Sequence, residues 1–230
     1  LQAQPADLPW TGEFLASDPD NILKAAAEIP VEEGADFLVL FEDVHIRFDS
    51  AGRSVTETRG VVRLETETGV EVWSTIQENW ESWHQEIPTL HARVITPDGS
   101  EHRLDPETIG EYPVQRKSPQ IFNDQRTIQA PLPAVEVGAV IEWEIICRDK
   151  DPFFEAGTVH YIFPGYTDPT LDSRLTIDAP LDLPLRYIAH LLHTMYIRQA
   201  TNHSILTWLF QPVRRGRTSP LPSTASSMHK

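Results

Sequence analysis

Apolar and polar residues alternate one for one in run after run along this chain. Such alternation places one face of an extended segment in a core and the other in water, so it favours strands over helices. The clearest run is residues 139–148, where Ile141, Trp143, Ile145 and Cys147 share one face and Glu142 and Glu144 the other. Val44, Ile46 and Phe48 likewise alternate with Asp43, His45 and Arg47. Strands are also expected near residues 54–64, 70–76, 91–96, 101–104, 127–130 and 174–179. Residues 185–198 and 204–210 read as a long hairpin with His203 at its tip. Turn chemistry separates several runs: Asp49-Ser50-Ala51-Gly52, Pro97-Asp98-Gly99 and Val137-Gly138.

Only one segment has the helical period. Ser17-Asp18-Pro19-Asp20 supplies a cap, a first-turn proline and an acid near the positive helix end. Ile22, Ala26 and Ile29 then share a face, and Pro30 ends the segment. Roughly ten strands with short connections, and no strand–helix–strand alternation, predict an all-β, mainly antiparallel fold. The expected form is a large two-sheet β-sandwich with one short N-terminal helix. Residues 1–16 read as an extended leader, 17–212 as the sandwich and 213–230 as a disordered tail. Residues 106–125 read as a proline-marked loop, and 152–170 as irregular and aromatic.

Charge narrows the partners. The formal net charge is −15, and the last twenty residues hold Arg214, Arg215, Arg217 and Lys230 with no acid. The body therefore sets 15 bases against 34 acids. It repels phosphate backbones and anionic lipid surfaces, so neither nucleic acid nor a membrane surface is an expected partner. No apolar run reaches the length of a membrane-spanning helix. A single cysteine excludes an intrachain disulfide without fixing the compartment. The polar start from Leu1 to Trp10 resembles the spacer after a removed signal peptide and points to export.

The residues that could carry chemistry each have a plainer role. Cys147 sits on the apolar face of a strand, the setting of a buried structural cysteine. His190 and His193, with His203, have a metal-like look, but on a strand positions 190 and 193 point to opposite faces. The acid groups Glu65/Glu67/Glu71, Asp149/Asp151 and Asp168/Asp172 lack the spacing of a calcium loop. Nothing sets two of these acids across a cleft for glycoside hydrolysis. No Gly-x-Ser-x-Gly turn exposes a serine nucleophile. No catalytic residue, metal or cofactor is therefore expected. The candidates for ligand binding are Trp80, Trp83 and His84, which lie between strand patterns; Trp73 and the aromatics of 153–166 could also stack on a sugar or a peptide. Their plainer role is to fill the space between two sheets.

The order of segments carries a further signal. Val39-Leu40-Phe41-Glu42-Asp43-Val44-His45-Ile46 follows the helix and leads to Asp49-Ser50-Ala51-Gly52-Arg53. Next come Leu90-His91-Ala92-Arg93-Val94-Ile95-Thr96-Pro97-Asp98-Gly99 and Leu132-Pro133-Ala134-Val135-Glu136-Val137-Gly138-Ala139-Val140-Ile141-Glu142-Trp143-Glu144. Ser173-Arg174-Leu175-Thr176-Ile177 and Pro184-Leu185-Arg186-Tyr187 close the series. Over residues 20–210 this resembles the bacterial domain of unknown function that precedes transglutaminase-like domains in exported multidomain proteins. The resemblance implies a large β-sandwich without catalytic residues of its own. Members continue into a papain-like core with a Cys-His-Asp triad. Cys147 lies inside the sandwich, so no triad residue carries over. The stretch from Pro212 departs from the family's continuation, as in a truncated product or a short protein with the accessory half alone.

Two functions follow as expectations. One is a non-catalytic accessory or interaction domain of a transglutaminase-like (cysteine protease or amidase) system, acting in cis or in trans. The other is a free-standing envelope module that binds carbohydrate or peptide. Both place the protein in the periplasm or outside the cell.

Overall fold

The computed structural model describes residues 8–113, 124–154, 158–162, 170–188, 194–200 and 203–210. His190, His193, Asp168 and residues 213–230 lie outside them. The chain opens with helix α1 (Pro19–Ala27), then strands β1 (Phe37–Phe48) and β2 (Ser54–Leu64). A second helix, α2 (Glu67–Trp73), leads into β3 (Thr75–Glu81), β4 (Thr89–Ile95) and β5 (Glu101–Arg103). A 3-10 turn (Pro106–Thr108) precedes β6 (Gly110–Pro113). Strands β7 (Gln125–Pro131), β8 (Val140–Arg148), β9 (Ser173–Pro180), β10 (Thr194–Ala200) and β11 (His203–Phe210) complete the described elements.

These strands form two sheets. The larger has eight strands in the order β10-β11-β9-β1-β2-β8-β4-β5, and the smaller has three, β3-β7-β6. Every pair is antiparallel except β1 with β9, which run parallel with Glu42 opposite Ser173. The expected all-β, mainly antiparallel sandwich with a short N-terminal helix is therefore present.

The core follows from the alternation. Val62 and Leu64 of β2, Leu90, Ala92 and Val94 of β4, and Ile141 and Ile145 of β8 face Ile76, Trp80, Ile128 and Ala130 of the small sheet. Trp143 shares this face, lying against Gly60 across the β2–β8 pair. A Cβ at residue 60 would stand 2.5 Å from the indole, so only glycine lets the ring cross there.

The opposite face of β2, β4 and β8 is closed by α1. Ile22 and Ala26 are fully buried against Leu40, Val61, Ile95 and Val140. Asp18 caps this helix by accepting from the amides of Asp20 and Asn21, a contact worth about 1 kcal/mol. A third cluster, Val44, Ile46, Leu175, Leu206 and Trp208, joins β1 to β9 and β11.

The α1 face also buries charge. Arg93 donates to Glu142, to Glu101 at 2.6 Å and to the Ser17 carbonyl at 2.7 Å. Both Arg93 and Glu142 are buried, although their strand pattern predicts a solvent-facing row. The segment leading into α1 covers that row. Burial raises the Glu142 carboxyl above its ordinary range despite the opposing pull of Arg93.

Helix α2 replaces the strand expected over residues 70–76, and it makes a second helix where one was expected. Val70 and Trp73, three residues apart, both pack against the core, while Val72 between them is exposed. That is the helical period, hidden beneath β-favouring residue types. Thr66 caps α2 through the Gly69 amide and donates to Asp36 at 2.6 Å. Gly69 is required because a Cβ there would meet the Asp36 carbonyl at 2.2 Å. Among the described residues no helix is long and apolar enough to cross a membrane.

Candidate functional site

One corner of the molecule gathers the polar and aromatic groups that strand pairing leaves over. It forms where β3 ends, β8 ends and β2 begins. Backbone bonds hold the three segments together: Glu86 N–H to the Arg148 carbonyl at 2.8 Å, Asp149 N–H to Ser54 at 2.9 Å and Lys150 N–H to His84 at 2.7 Å.

Trp80, Trp83 and His84 part company here. Trp80 belongs to β3, not to the loop expected for it, and lies buried in the sandwich core. Trp83 stands in the connection after β3 and is 47% exposed. His84 turns inward and is buried. The Trp83 indole N–H donates to Glu81 Oε2 at 2.8 Å. The ring lies 4.3 Å from His84 and 5.3 Å from Phe153 between centroids. Phe154, 4.6 Å beyond Phe153, extends the cluster outward. Of the other aromatics of 153–166, Tyr161 is exposed, and Phe163 and Tyr166 lie outside the described residues.

Behind these rings sits a hydrogen-bonded set that no local motif announces. Asp149 Oδ2 accepts from the Ser54 amide at 2.8 Å and from its hydroxyl at 2.7 Å. His160 Nε2 lies 3.3 Å from the same hydroxyl. His84 Nδ1 is 3.7 Å from Asp149 Oδ1 and has no hydrogen-bond partner among the described residues, and its Nε2 is 3.5 Å from Glu81. Burial holds His160 below the ordinary histidine range, with Asp149 pulling the other way. Serine, histidine and aspartate thus meet, but not in the order of an acyl-transfer triad. In a triad the carboxylate orients the histidine, which takes the serine proton. Here Asp149 takes the Ser54 hydrogen bond itself, and Ser54 is buried. Ser54 and Asp149 are 95 residues apart, so spacing could not reveal the pair.

Several of the remaining candidates have partners of their own. Burial, with the charges of Glu78 and Asp149, pushes the Cys147 thiol up to about 12. His203 meets Asp178 at 2.7 Å between β11 and β9. Glu65 accepts from Arg63, and Glu67 and Glu71 belong to α2. Asp172 is raised by burial beside Arg174. Among the described residues no three histidine, cysteine or acidic side chains are grouped to hold a metal. A shallow cleft of about 270 Å³, adjoining the Ser54–Asp149 set through His160, is lined by Val44, Ile46, Thr56, Thr58 and Tyr161 as well.

A known structure shares the fold. A Parabacteroides distasonis protein described as a "putative protease" matches with a TM-score of 0.65 and 12% identity, over 80% of this chain and 37% of its own. The chain thus spans well under half of that protein. An M1 zinc metallopeptidase from Deinococcus radiodurans aligns over 77% of this chain and 39% of its own, at 12% identity. Its TM-score is 0.39. No curated protein matches the chain. One family does match, over residues 50–215, more than half of the sequence. The chain belongs to that family, the Domain of Unknown Function with solved-structure structure (DUF3857).

Proposed function

We propose that the chain is a non-catalytic accessory domain of a transglutaminase-like system, with cysteine protease or amidase chemistry supplied by a core in the same polypeptide or in a partner. The observation that carries this reading is one of proportion. The fold recurs in a protein described as a protease, where it accounts for 37% of the length, leaving room for a separate module. The order of the Ala-Arg-Val-Ile-Thr-Pro-Asp-Gly and Glu-Val-Gly-Ala-Val-Ile-Glu-Trp-Glu segments supplies the transglutaminase side. The state of Cys147 supports the non-catalytic side. A nucleophilic cysteine needs a lowered pKa, and this thiol is pushed up to about 12. The export expected from the resemblance fits the same reading.

A second reading, a free-standing envelope module for carbohydrate or peptide, draws on the exposed Trp83, Phe153 and Phe154. The intact mass and peptide sequence of the native protein, captured by antibody from its source cells, separates the two. The accessory reading expects a Cys-His-Asp core, either within a polypeptide far larger than 26.1 kDa or bound to this chain in stable stoichiometry. Removing the domain should then lower that core's turnover. A native mass of 26.1 kDa with no such core bound overturns it in favour of the module.

A further inference from the structure

Three large aromatic side chains reach the surface at the corner described above: Trp83 (47% exposed), Phe153 (38%) and Phe154 (52%). Isolated exposed hydrophobics are ordinary, but a contiguous set marks a binding surface. The ring geometry narrows what binds. Trp83 and Phe153 are inclined by 56°, Phe153 and Phe154 by 79°, and His84 and Phe153 by 89°. Rings so inclined make no flat platform on which a sugar could stack across several of them. They offer differently directed π surfaces to a small group, the arrangement that suits a cation.

The surrounding charge agrees. Glu81 is anchored beside the Trp83 ring through Oε2, which also lies 3.5 Å from His84 Nε2. Glu86, Asp149 and Asp151 stand in the same two segments, held together by backbone bonds. Their local counter-charges are Lys150, whose ammonium is turned to the Ser82 carbonyl at 2.7 Å, and Arg148, directed to Thr89 at 3.5 Å. Acids outnumber bases here, in a chain of net charge −15. A cation approaching the rings meets attraction at long range and a carboxylate at contact.

We propose that the Trp83 corner is a docking site for a basic side chain, an arginine or lysine carried by a peptide segment of a partner protein. The inference deepens the accessory reading by naming a surface for a partner. Its test uses this chain alone, so its failure is distinct from failure to find a transglutaminase-like core. Glu81 supplies the counter-charge, and Trp83, Phe153 and Phe154 supply the ring faces. His84 and Asp149 close the back of the corner.

The experiment is calorimetric titration of the purified chain with three blocked tripeptides, Gly-Arg-Gly, Gly-Lys-Gly and Gly-citrulline-Gly, and with a chito-oligosaccharide. The arginine or lysine peptide should bind at least about tenfold more tightly than the neutral citrulline peptide, and more weakly in about 0.5 M salt. Glu81→Gln should weaken the charged peptide by about tenfold and leave the citrulline peptide unchanged. Phe154→Ala alters only the outermost ring, so it tests the aromatic part without threatening the fold. It should weaken the charged peptides too. Equal binding of all three peptides overturns the proposal, as does no binding at about 10 mM. Unchanged affinity in both variants also overturns it. Retention of the oligosaccharide with no charged-peptide binding assigns the corner to glycans instead.

Discussion

The Arg93 centre and the Trp83 corner are both built where β4 or β3 meets the end or flank of β8, and they use their polar groups in opposite ways. Arg93 lies under the segment entering α1, and its three partners are all oxygens aligned to receive its N–H groups. Among the described residues the Trp83 corner leaves one buried imidazole nitrogen without a hydrogen bond and two phenylalanine rings at the surface. Complete pairing is what a buried charge needs to be tolerated inside a fold. Incomplete pairing beside exposed rings is what a surface that awaits a partner looks like. The contrast assigns stability to one side and recognition to the other.

Breaking the first side should have the largest effect. Arg93→Leu strands Glu142 in the interior and should lower unfolding stability by about 3–5 kcal/mol in urea titration. Arg93→Met combined with Glu142→Leu should lose far less, because no charge is left buried. A double variant as unstable as the single one would contradict this account. Gly60→Ala is next. Its new methyl meets the Trp143 indole, and a cost of about 1–3 kcal/mol is expected from the same titration.

A smaller effect separates the sides by pH. Burial depresses His160 in the folded state, so the unfolded chain takes up its proton first. Its stabilising contribution is full above the ordinary histidine value of 6.5 and declines as pH falls through the lower folded value. Glu142 has the opposite sign. Its folded value is raised above 4.5, so its contribution is full below 4.5 and is lost as pH rises through the folded value. His160→Asn should therefore flatten the decline of the melting temperature as pH falls below 6.5. The smallest effect belongs to the rings. Phe154→Ala should shift stability by no more than about 0.5 kcal/mol in thermal melts, as at an exposed position. A loss several times larger would make Phe154 part of the core and erase the contrast.

Particular residues show how far the sequence could be read. The row Ile141, Trp143, Ile145, Cys147 announced both β8 and the face it buries, because a strand with one wet side has a period of two. Glu142 in the alternate row looked solvent-facing and is not, since the cover comes from the chain before α1, more than a hundred residues earlier. Helix α2 escaped because Val70, Val72 and Trp73 favour strands by type, and its Thr66 cap and threefold Val70/Trp73 spacing were the signals to weigh. Trp83 and His84 are legible as a pair, while Trp80, read as lying between strands, belongs to β3. The link between Ser54, Asp149 and His160 depends on where three strands end, which no local pattern encodes.

The parallel pairing of β1 with β9 has a consequence for how the protein is made. Glu42 leaves the ribosome 131 residues ahead of Ser173, its partner across that pair. At about 5–20 residues per second the growing chain waits on the order of ten seconds for that strand to arrive. Through this interval β1 can pair with β2 on one side and with nothing native on the other, leaving an apolar strand edge open to foreign strands. Val44 and Ile46 gain their cover only when Leu175, and then Leu206 and Trp208, have emerged. The nascent chain therefore passes through a sticky half-sheet, and an agent that shields β1 during synthesis should raise the yield of native protein.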